Sequence, residues 1–526
     1  MLEPANKVDV VIVGAGVSGL SAAQRLTGAG LTVCVLEAAP QAGGRMATEK
    51  VDGFRLDRIG QLLSTAYPEL TLTPGLEGLV LRSFAPGVLV HGEGRRVRVS
   101  TPVAARGVRR GRGVDAGGVR GPGAGGVRGA RGFGARGGDG FGARGGDGFD
   151  VAGVAAAGSG GSRVAVVGGA LGTVVGGSVV GGARGAFDVV RALASAPRDD
   201  AGAAKGRYGP LGSAMDQARL RGALARLASV PVERLLARAE SSAGEALAAR
   251  GLPARTVDAF LRPLLAALLC DPSLTTSSRC ADLALRAFVG GRLCVPEGGA
   301  DALPELLAAT LPTGVLRTGV HVTSVSTTSV TTAEHGEFRC RAVLVATDAR
   351  TAAELLPGLR VPEFHPVTVV HHTTDELPDT GGSLLLDAER GGPVAHTAVM
   401  SEVDPGRAPA GRALISSTVL GTPPDGLDDA VRAHLARLYG TSTSRWETLA
   451  VHHTAEAVPA MRPPHDLRRS VRLLAGLYVC GDHRDTSTVQ GALHSAHRAA
   501  TALIADLGVA AAARPADPPA SVPKAA

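Results

Sequence analysis

Cysteine is sparse and unclustered: six in 526 residues, at 34, 270, 280, 294, 340 and 480, with no CxxC pair and no Cys/His group at zinc spacing. That pattern excludes a disulfide framework and a thiolate metal centre, so no metal is expected and a reduced, cytoplasmic chain is. Lysine is rarer still, at Lys7, Lys50, Lys205 and Lys524, so 55 − 4 = 51 of the cationic residues are arginine. With abundant Ala, Gly and Pro, that bias reads as a GC-rich coding sequence. Aromatics make up 3% of the chain, and none falls between Trp446 and Tyr478. The first residues show no basic stretch followed by a cleavable apolar run, so no signal peptide is expected. No catalytic triad stands out.

Glycine and charge are plentiful, but unevenly placed. Of 73 glycines, 31 lie between Arg106 and Gly185, leaving 73 − 31 = 42 for the other 446 residues. The same block holds 11 Arg against 4 Asp, a net +7 that equals the charge of the whole chain. The basic balance therefore says nothing of the folded part. Phe133–Gly140 repeats as Phe141–Gly148. Arg-Gly-Gly with interspersed Phe is similar to the arginine–glycine tracts of RNA-binding proteins. Two units, each with an Asp, fall short of that, and no specific nucleic-acid partner is expected. Residues 164–183 carry no charge and are long enough to span a bilayer. Seven glycines and one leucine among them make insertion unfavourable. Peripheral membrane contact is the alternative reading of this stretch.

The first sixty residues carry the clearest pattern. An apolar strand, Val8–Val13, runs into Gly14-Ala15-Gly16-Val17-Ser18-Gly19, then a helical stretch to Gly28 and a second strand ending at Glu37. In such a βαβ unit Gly14 makes the tight turn, Gly16 lets a pyrophosphate approach the backbone, and Gly19 allows helix and strand to pack closely. The phosphates sit on the helix N-terminus, and Glu37 accepts hydrogen bonds from a ribose. A dinucleotide site follows.

Gly43-Gly44-Arg45 comes next, then Gly53-Phe54-Arg55-Leu56-Asp57-Arg58-Ile59-Gly60. Arg45 offers a planar fork of donors to a phosphate. Far along the chain, Leu477–Cys480 reads as a strand entering Gly481-Asp482, followed by Thr488-Val489-Gln490-Gly491-Ala492 and a helix to about Asp506. Between these, Val295-Pro-Glu-Gly298-Gly299 opens a helix, then come a strand pair, Val320–Val325 and Ser329–Thr332, and a strand at Ala342–Ala346.

Together these pieces resemble the flavin amine oxidase superfamily, which includes monoamine oxidases, phytoene-desaturase-like enzymes and protoporphyrinogen oxidases. The resemblance covers roughly residues 8–65, 290–350 and 470–507. It implies FAD, with Arg45 near the phosphates, Gly60 against the flavin, Val322 holding the adenine through its backbone, Asp482 on the ribityl hydroxyls, and Val489 offering a backbone N–H to the flavin pyrimidine. No cysteine stands where covalently flavinylated relatives attach the cofactor, so the FAD is expected to be non-covalent. The full cofactor set is Gly14, Ala15, Gly16, Ser18, Gly19, Glu37, Gly44, Arg45, Gly60, Val322, Gly481, Asp482 and Val489.

The implied fold class is α/β: an FAD-binding, Rossmann-like, doubly wound domain built from discontinuous segments, plus an α+β substrate domain. Residues 1–100, 290–355 and 467–510 form the first; 186–289, mostly helical, and 356–466, strands with one helix at Gly426–Tyr439, form the second. Residues 106–185 read as a disordered insertion and 511–526 as a disordered tail. Amine oxidases of the family place an aromatic ring where this chain has Thr488, and a lysine at the flavin that has no counterpart here. The Thr-Val-Gln-Gly-Ala form is closer to the phytoene-desaturase-like branch. The expected function is therefore an FAD-dependent oxidoreductase that removes hydride from an apolar or polycyclic small molecule onto the flavin. Alternatives are an amine oxidase using oxygen and, remotely, a non-catalytic flavin-fold protein binding RNA or lipid through the insert. His452 and His453 are polar candidates near the flavin, and no catalytic residue is assigned.

Overall fold

A computed structural model describes residues 8–100 and 211–508. The insertion at 106–185, the first part of the 186–289 segment and the tail at 511–526 lie outside the described residues.

One half is built on a six-stranded sheet in the order Leu316–Thr318, Val33–Glu37, Val10–Val13, Ala342–Val345, Leu477–Val479, Arg472–Leu474. The first five run parallel, and the last pair is antiparallel. The strands are short apolar runs because both faces are covered. In the first strand Val10 and Ile12 join one core, and Val11 and Val13 the other. On the first face lie the helices Val17–Gly28, Ala302–Ala309 and Val489–Asp506, packed through Leu20, Leu307, Leu493 and Leu503. Each of these leucines is fully buried, which contributes about 1.5–3 kcal/mol apiece. On the second face lies the antiparallel meander Val322–Val325, Ser329–Thr332, Glu337–Arg339, anchored by Val330 and Phe338.

The other half is a seven-stranded, mainly antiparallel sheet: Glu447–Pro459, Phe364–Thr374, Ala413–Leu420, Val394–Val399, Leu385–Asp387, Val88–Gly92, Arg95–Val99. Alternation sorts its side chains by face. Leu386, Ala398 and Leu414 pack with Leu220, Phe260 and Leu264 of the helical segment. Leu385, Val399 and Ile415 pack with Val431 and Leu435 of the helix Leu427–Tyr439. The helices Ala214–Ser229 and Ser242-capped Ala243–Ala249 each start in a reciprocal capping box, with Asp216 and Glu245 as the returning acids.

The strands observed agree with those read from the sequence to within three residues at each end of the dinucleotide motif. The 1–100 segment is shared between the halves: its strands Val88–Gly92 and Arg95–Val99 pair into the seven-stranded sheet, Val88–Gly92 in parallel with Leu385–Asp387. Pairing partners nearly 300 residues away leave no local mark in a short apolar run. No helix among the described residues is long and apolar enough to cross a membrane.

Candidate functional site

A groove of ≈ 350 Å³ opens at the carboxyl ends of the strands Val10–Val13, Val33–Glu37 and Ala342–Val345. This is where a doubly wound sheet leaves a crevice for a ligand. Gly14 has φ +99°, and a Cβ there would meet the Ala346 carbonyl at 3.0 Å. A Cβ at Gly19 would stand 2.0 Å from the Gly14 carbonyl oxygen, so helix and turn touch through backbone alone. Gly16 differs: it lines the groove, and a Cβ there would meet nothing within 4 Å. The helix it caps has no side-chain cap, so its first amides face the groove's end without a side-chain acceptor. Together these make a cradle for an anion.

The charges around the groove are held by short contacts. The Glu37 carboxylate accepts from Ala15 N–H at 2.6 Å and Ala39 N–H at 2.9 Å. Arg45 donates to Asp482 Oδ1 at 2.7 Å and to the Ala457 carbonyl at 2.8 Å. Burial opposes the Arg45 charge, but Asp482 and Asp348 outweigh it and raise its pKa. Asp348 caps the helix Ala349–Leu355, accepting from the Arg350 and Thr351 amides. Burial works against its carboxylate, and those hydrogen bonds with Arg45 still hold it below the usual range. Ser18 Oγ donates to the Ala492 carbonyl at 3.1 Å, tying the first helix to the last. Thr488 Oγ1 caps the last helix by accepting from Gly491 N–H at 3.1 Å.

Ten of the sequence-selected residues share this wall: Gly14, Gly16, Ser18, Glu37, Gly44, Arg45, Val322, Gly481, Asp482 and Val489. Ala15 and Gly19 lie behind it, Ala15 fully buried. Gly60 faces elsewhere, towards Thr418 and Val369 in the wall of a second cavity. Sequence reading missed Thr347 and Asp348, although their signal was present: they follow the strand Ala342–Val345 at its carboxyl end, as Gly14 follows the first strand. It also missed Ala457 and Val458, which no motif marks.

The second cavity, of ≈ 30 Å³, lies between Gly60–Leu62 and the seven-stranded sheet, and Gln61 is in the wall of both spaces. Its two charged groups, Asp57 and Arg407, pair at 2.5 Å. Asp57 Oδ1 also accepts from Thr48 Oγ1 and Ala300 N–H. Arg407, 1% exposed, further binds Asp404 and the Pro296 carbonyl. His371 lies 3.0 Å from the Asp57 carbonyl through Nε2 and 2.9 Å from Ser416 Oγ through Nδ1. A carbonyl only accepts, so Nε2 carries the proton and Nδ1 accepts from Ser416. The His396 side chain makes no hydrogen bond among the described residues, and its Nδ1 is buried without a partner. Burial lowers both histidines to about 4.

His452 and His453 reach neither wall. His453 Nδ1 contacts Thr368 Oγ1 at 2.8 Å, and His452 sits edge-on to His371 with ring centroids 5.6 Å apart. None of the six cysteines lines the groove, and burial pushes the Cys480 thiol well above its usual range. Among the described residues, His91, Asp387 and Glu389 bring three ligand-type atoms within 4.8 Å of one another, away from both spaces. Asp387 there already accepts from His434, Arg437 and the Gly391 amide.

A family model described as flavin containing amine oxidoreductase matches residues 189–504, and one for an NAD(P)-binding Rossmann-like domain matches 12–71. Putrescine oxidase of Kocuria rosea is 50% identical over 68 residues, 13% of this chain and 14% of that protein. An L-amino-acid oxidase of Gloydius blomhoffii is 62% identical over 47 residues, 9% of each. The aligned part thus spans well under two thirds of these relatives. An oxidoreductase from Methanosarcina mazei superposes with a TM-score of 0.60 at 14% identity, over 93% of this chain and 99% of that one. That likeness shows the fold.

Proposed function

The chain belongs to the flavin containing amine oxidoreductase family, and from that premise we propose that it is an FAD-dependent oxidoreductase. It removes a hydride equivalent from an apolar or polycyclic small molecule, as desaturases and dehydrogenases do. One observation carries the reading: a glycine turn on an uncapped helix N-terminus, an acid ending the second strand, and the Gly481–Asp482 turn share the wall of one groove. The open space over Gly16 fits a pyrophosphate, so the residues present suit the cofactor.

In this reading the amides after Ala15, Gly16 and Ser18 receive the phosphates, while Gly14 makes the turn, the Ala15 amide holds Glu37 in place, and Gly19 keeps the helix close enough to present them. Glu37 takes the ribose, and Gly44 brings Arg45 to the phosphates. Val322 backs the adenine. Gly481 and Asp482 hold the ribityl chain, Val489 the pyrimidine edge, and Gly60 the turn beside the ring. FAD supplies the two-electron acceptor. The chain's residues bind it, orient the substrate and keep water from the reacting carbon. Non-covalent binding is part of the same proposal, supported by a groove wall that holds no thiol. The division into cofactor segments 1–100, 290–355 and 467–510 and substrate segments 186–289 and 356–466 belongs to the same proposal, with 88–99 contributing strands to the substrate sheet. Five of the six free cysteines are buried, which suits a reducing cytoplasm.

A second reading, an amine oxidase using oxygen, is favoured by the short matches to putrescine and L-amino-acid oxidases. Purified protein is expected to be yellow, with absorbance near ~450 nm and the flavin released unmodified on denaturation. A colourless protein that FAD does not reconstitute overturns both readings. Anaerobic bleaching by alicyclic and isoprenoid compounds supports the first; bleaching by simple amines alone supports the second.

A further inference from the structure

The strands Val88–Gly92 and Leu385–Asp387 join the first hundred residues to the seven-stranded sheet, and their parallel register sets His91 opposite Asp387. His91 is 4% exposed, and its Nδ1 is buried without a hydrogen-bond partner. That nitrogen stands 4.0 Å from Asp387 Oδ1, too far for a hydrogen bond. The other carboxylate oxygen is full: Oδ2 accepts from His434 Nε2, Arg437 and the Gly391 amide. His434 Nδ1 accepts from the Val394 amide, so its Nε2 carries the proton and holds the carboxylate in one orientation. Among the described residues Oδ1 takes the Glu389 amide alone, at 3.0 Å, which leaves it a lone pair. The Glu389 carboxylate completes the group, with one ligand atom from each of the three residues within 4.8 Å of the others. Glu389 is exposed, so its side chain can turn inward and the group opens to solvent there. The gap between His91 and Asp387 is closed to water at Nδ1, yet its midpoint lies about 2.0 Å from both atoms, the length of a Zn–N or Zn–O bond. Arg437, on the far oxygen, cancels one of the two ligand charges, while Arg95 and Arg255 are taken up by Glu93.

We propose that His91 Nδ1, Asp387 Oδ1 and the Glu389 carboxylate bind one divalent transition-metal ion, with Zn²⁺ as its type, and that water completes the coordination. An imidazole nitrogen with two carboxylate oxygens suits Zn²⁺ better than Mg²⁺ or Ca²⁺, which take oxygen alone. The ion staples a strand of the first hundred residues to a strand far along the chain. It stabilises the fold because the unfolded chain does not bring the three ligands together. The site lies outside both the groove and the small cavity, so it is structural and independent of the flavin reading. Cysteine and histidine spacing carries no mark of it, since its ligands meet only through the pairing of distant strands.

Full-length protein dialysed against EDTA and titrated with ZnCl₂ or MgCl₂ by calorimetry, with thermal unfolding alongside, tests it. One Zn²⁺ per chain is expected, with a Kd on the order of micromolar, and Mg²⁺ at least about tenfold weaker. At about 100 times its Kd, Zn²⁺ should raise the ratio of folded to unfolded protein about 100-fold. Glu389→Gln should weaken Zn²⁺ at least about tenfold, since even the outer partners of a metal ligand are worth that much. Its side chain is exposed, so the metal-free melting temperature should not move. His91→Phe should abolish the binding, and if that chain does not fold, Glu389→Gln decides. The absence of saturable Zn²⁺ uptake overturns the proposal, as does Mg²⁺ binding as tightly as Zn²⁺. Zinc held at other histidines or at a cysteine would leave the affinity of Glu389→Gln unchanged, and that result overturns it too.

Discussion

The groove and the small cavity share Gln61 and are otherwise built on opposite lines. The groove is walled by backbone and by residues that begin or end an element: Gly14 and Gly16 at a helix start, Glu37 at a strand end, Asp348 and Thr488 as caps. The cavity is walled by side chains in mid-strand, such as Val369, His371, His396 and Thr418. The groove keeps several charges on its wall, whereas the cavity's two, Asp57 and Arg407, are paired with each other, and Arg407 is shared with Asp404. A polyanionic cofactor is met by amides that no side chain can replace, whereas a small apolar site can be reshaped one strand residue at a time. In the function proposed above, cofactor and specificity are therefore separable.

The largest effect that tests this separation is expected from Gly19→Val. Its Cβ would fall 2.0 Å from the Gly14 carbonyl oxygen, which only a backbone shift relieves. FAD should be lost outright, and thermal unfolding should show a penalty on the order of 4 kcal/mol or more. Arg407→Leu comes next. It leaves Asp57 and Asp404 buried without their cation, so stability in urea should fall by about 3–5 kcal/mol. If cofactor and specificity are separable, the folded fraction still carries flavin at full stoichiometry. Glu37→Gln should act on the groove alone. Losing charged hydrogen bonds of about 1.5–3 kcal/mol weakens FAD roughly 10- to 100-fold, read by flavin fluorescence, with substrate preference unmoved.

Acid gives the smallest and most graded test. Burial lowers His371, His396 and His483 from 6.5 to about 4. Between those values the unfolded chain binds protons that the folded chain refuses, so acidification favours unfolding. Stability is expected to be full above pH 6.5 and to decline towards pH 4. In His396→Leu the decline should be shallower. An unchanged slope in that variant would mean that His396 is not held neutral by its cavity.

The contrast between the two sites also explains what could be read without coordinates. Gly14, Gly16, Gly19 and Glu37 were legible because each does a backbone job at fixed spacing. The last helix was legible because Gly481–Asp482 and Thr488 punctuate it. Asp348 could have been found by treating Ala342–Val345 as another parallel strand and looking past its end. His396 and Arg407 could not. Their places depend on which of two sheet faces a residue takes and on a strand order that crosses most of the chain. Gly60 shows the limit of motif spacing: its turn was found, but its facing was set by Thr418 and Val369 across the cavity.

The ion pair between Arg45 and Asp482 joins residues 437 positions apart. At about 5–20 residues per second, the ribosome makes the second partner roughly 20–90 s after the first. Through that interval the glycine turn and its helix exist without the wall that completes the groove. Chains interrupted before residue 482 would own the nucleotide motif yet have no grip on flavin. Cofactor capture thus becomes a signal that synthesis has passed Asp482, and colour in a cell extract would report chains extended beyond that turn rather than chains begun.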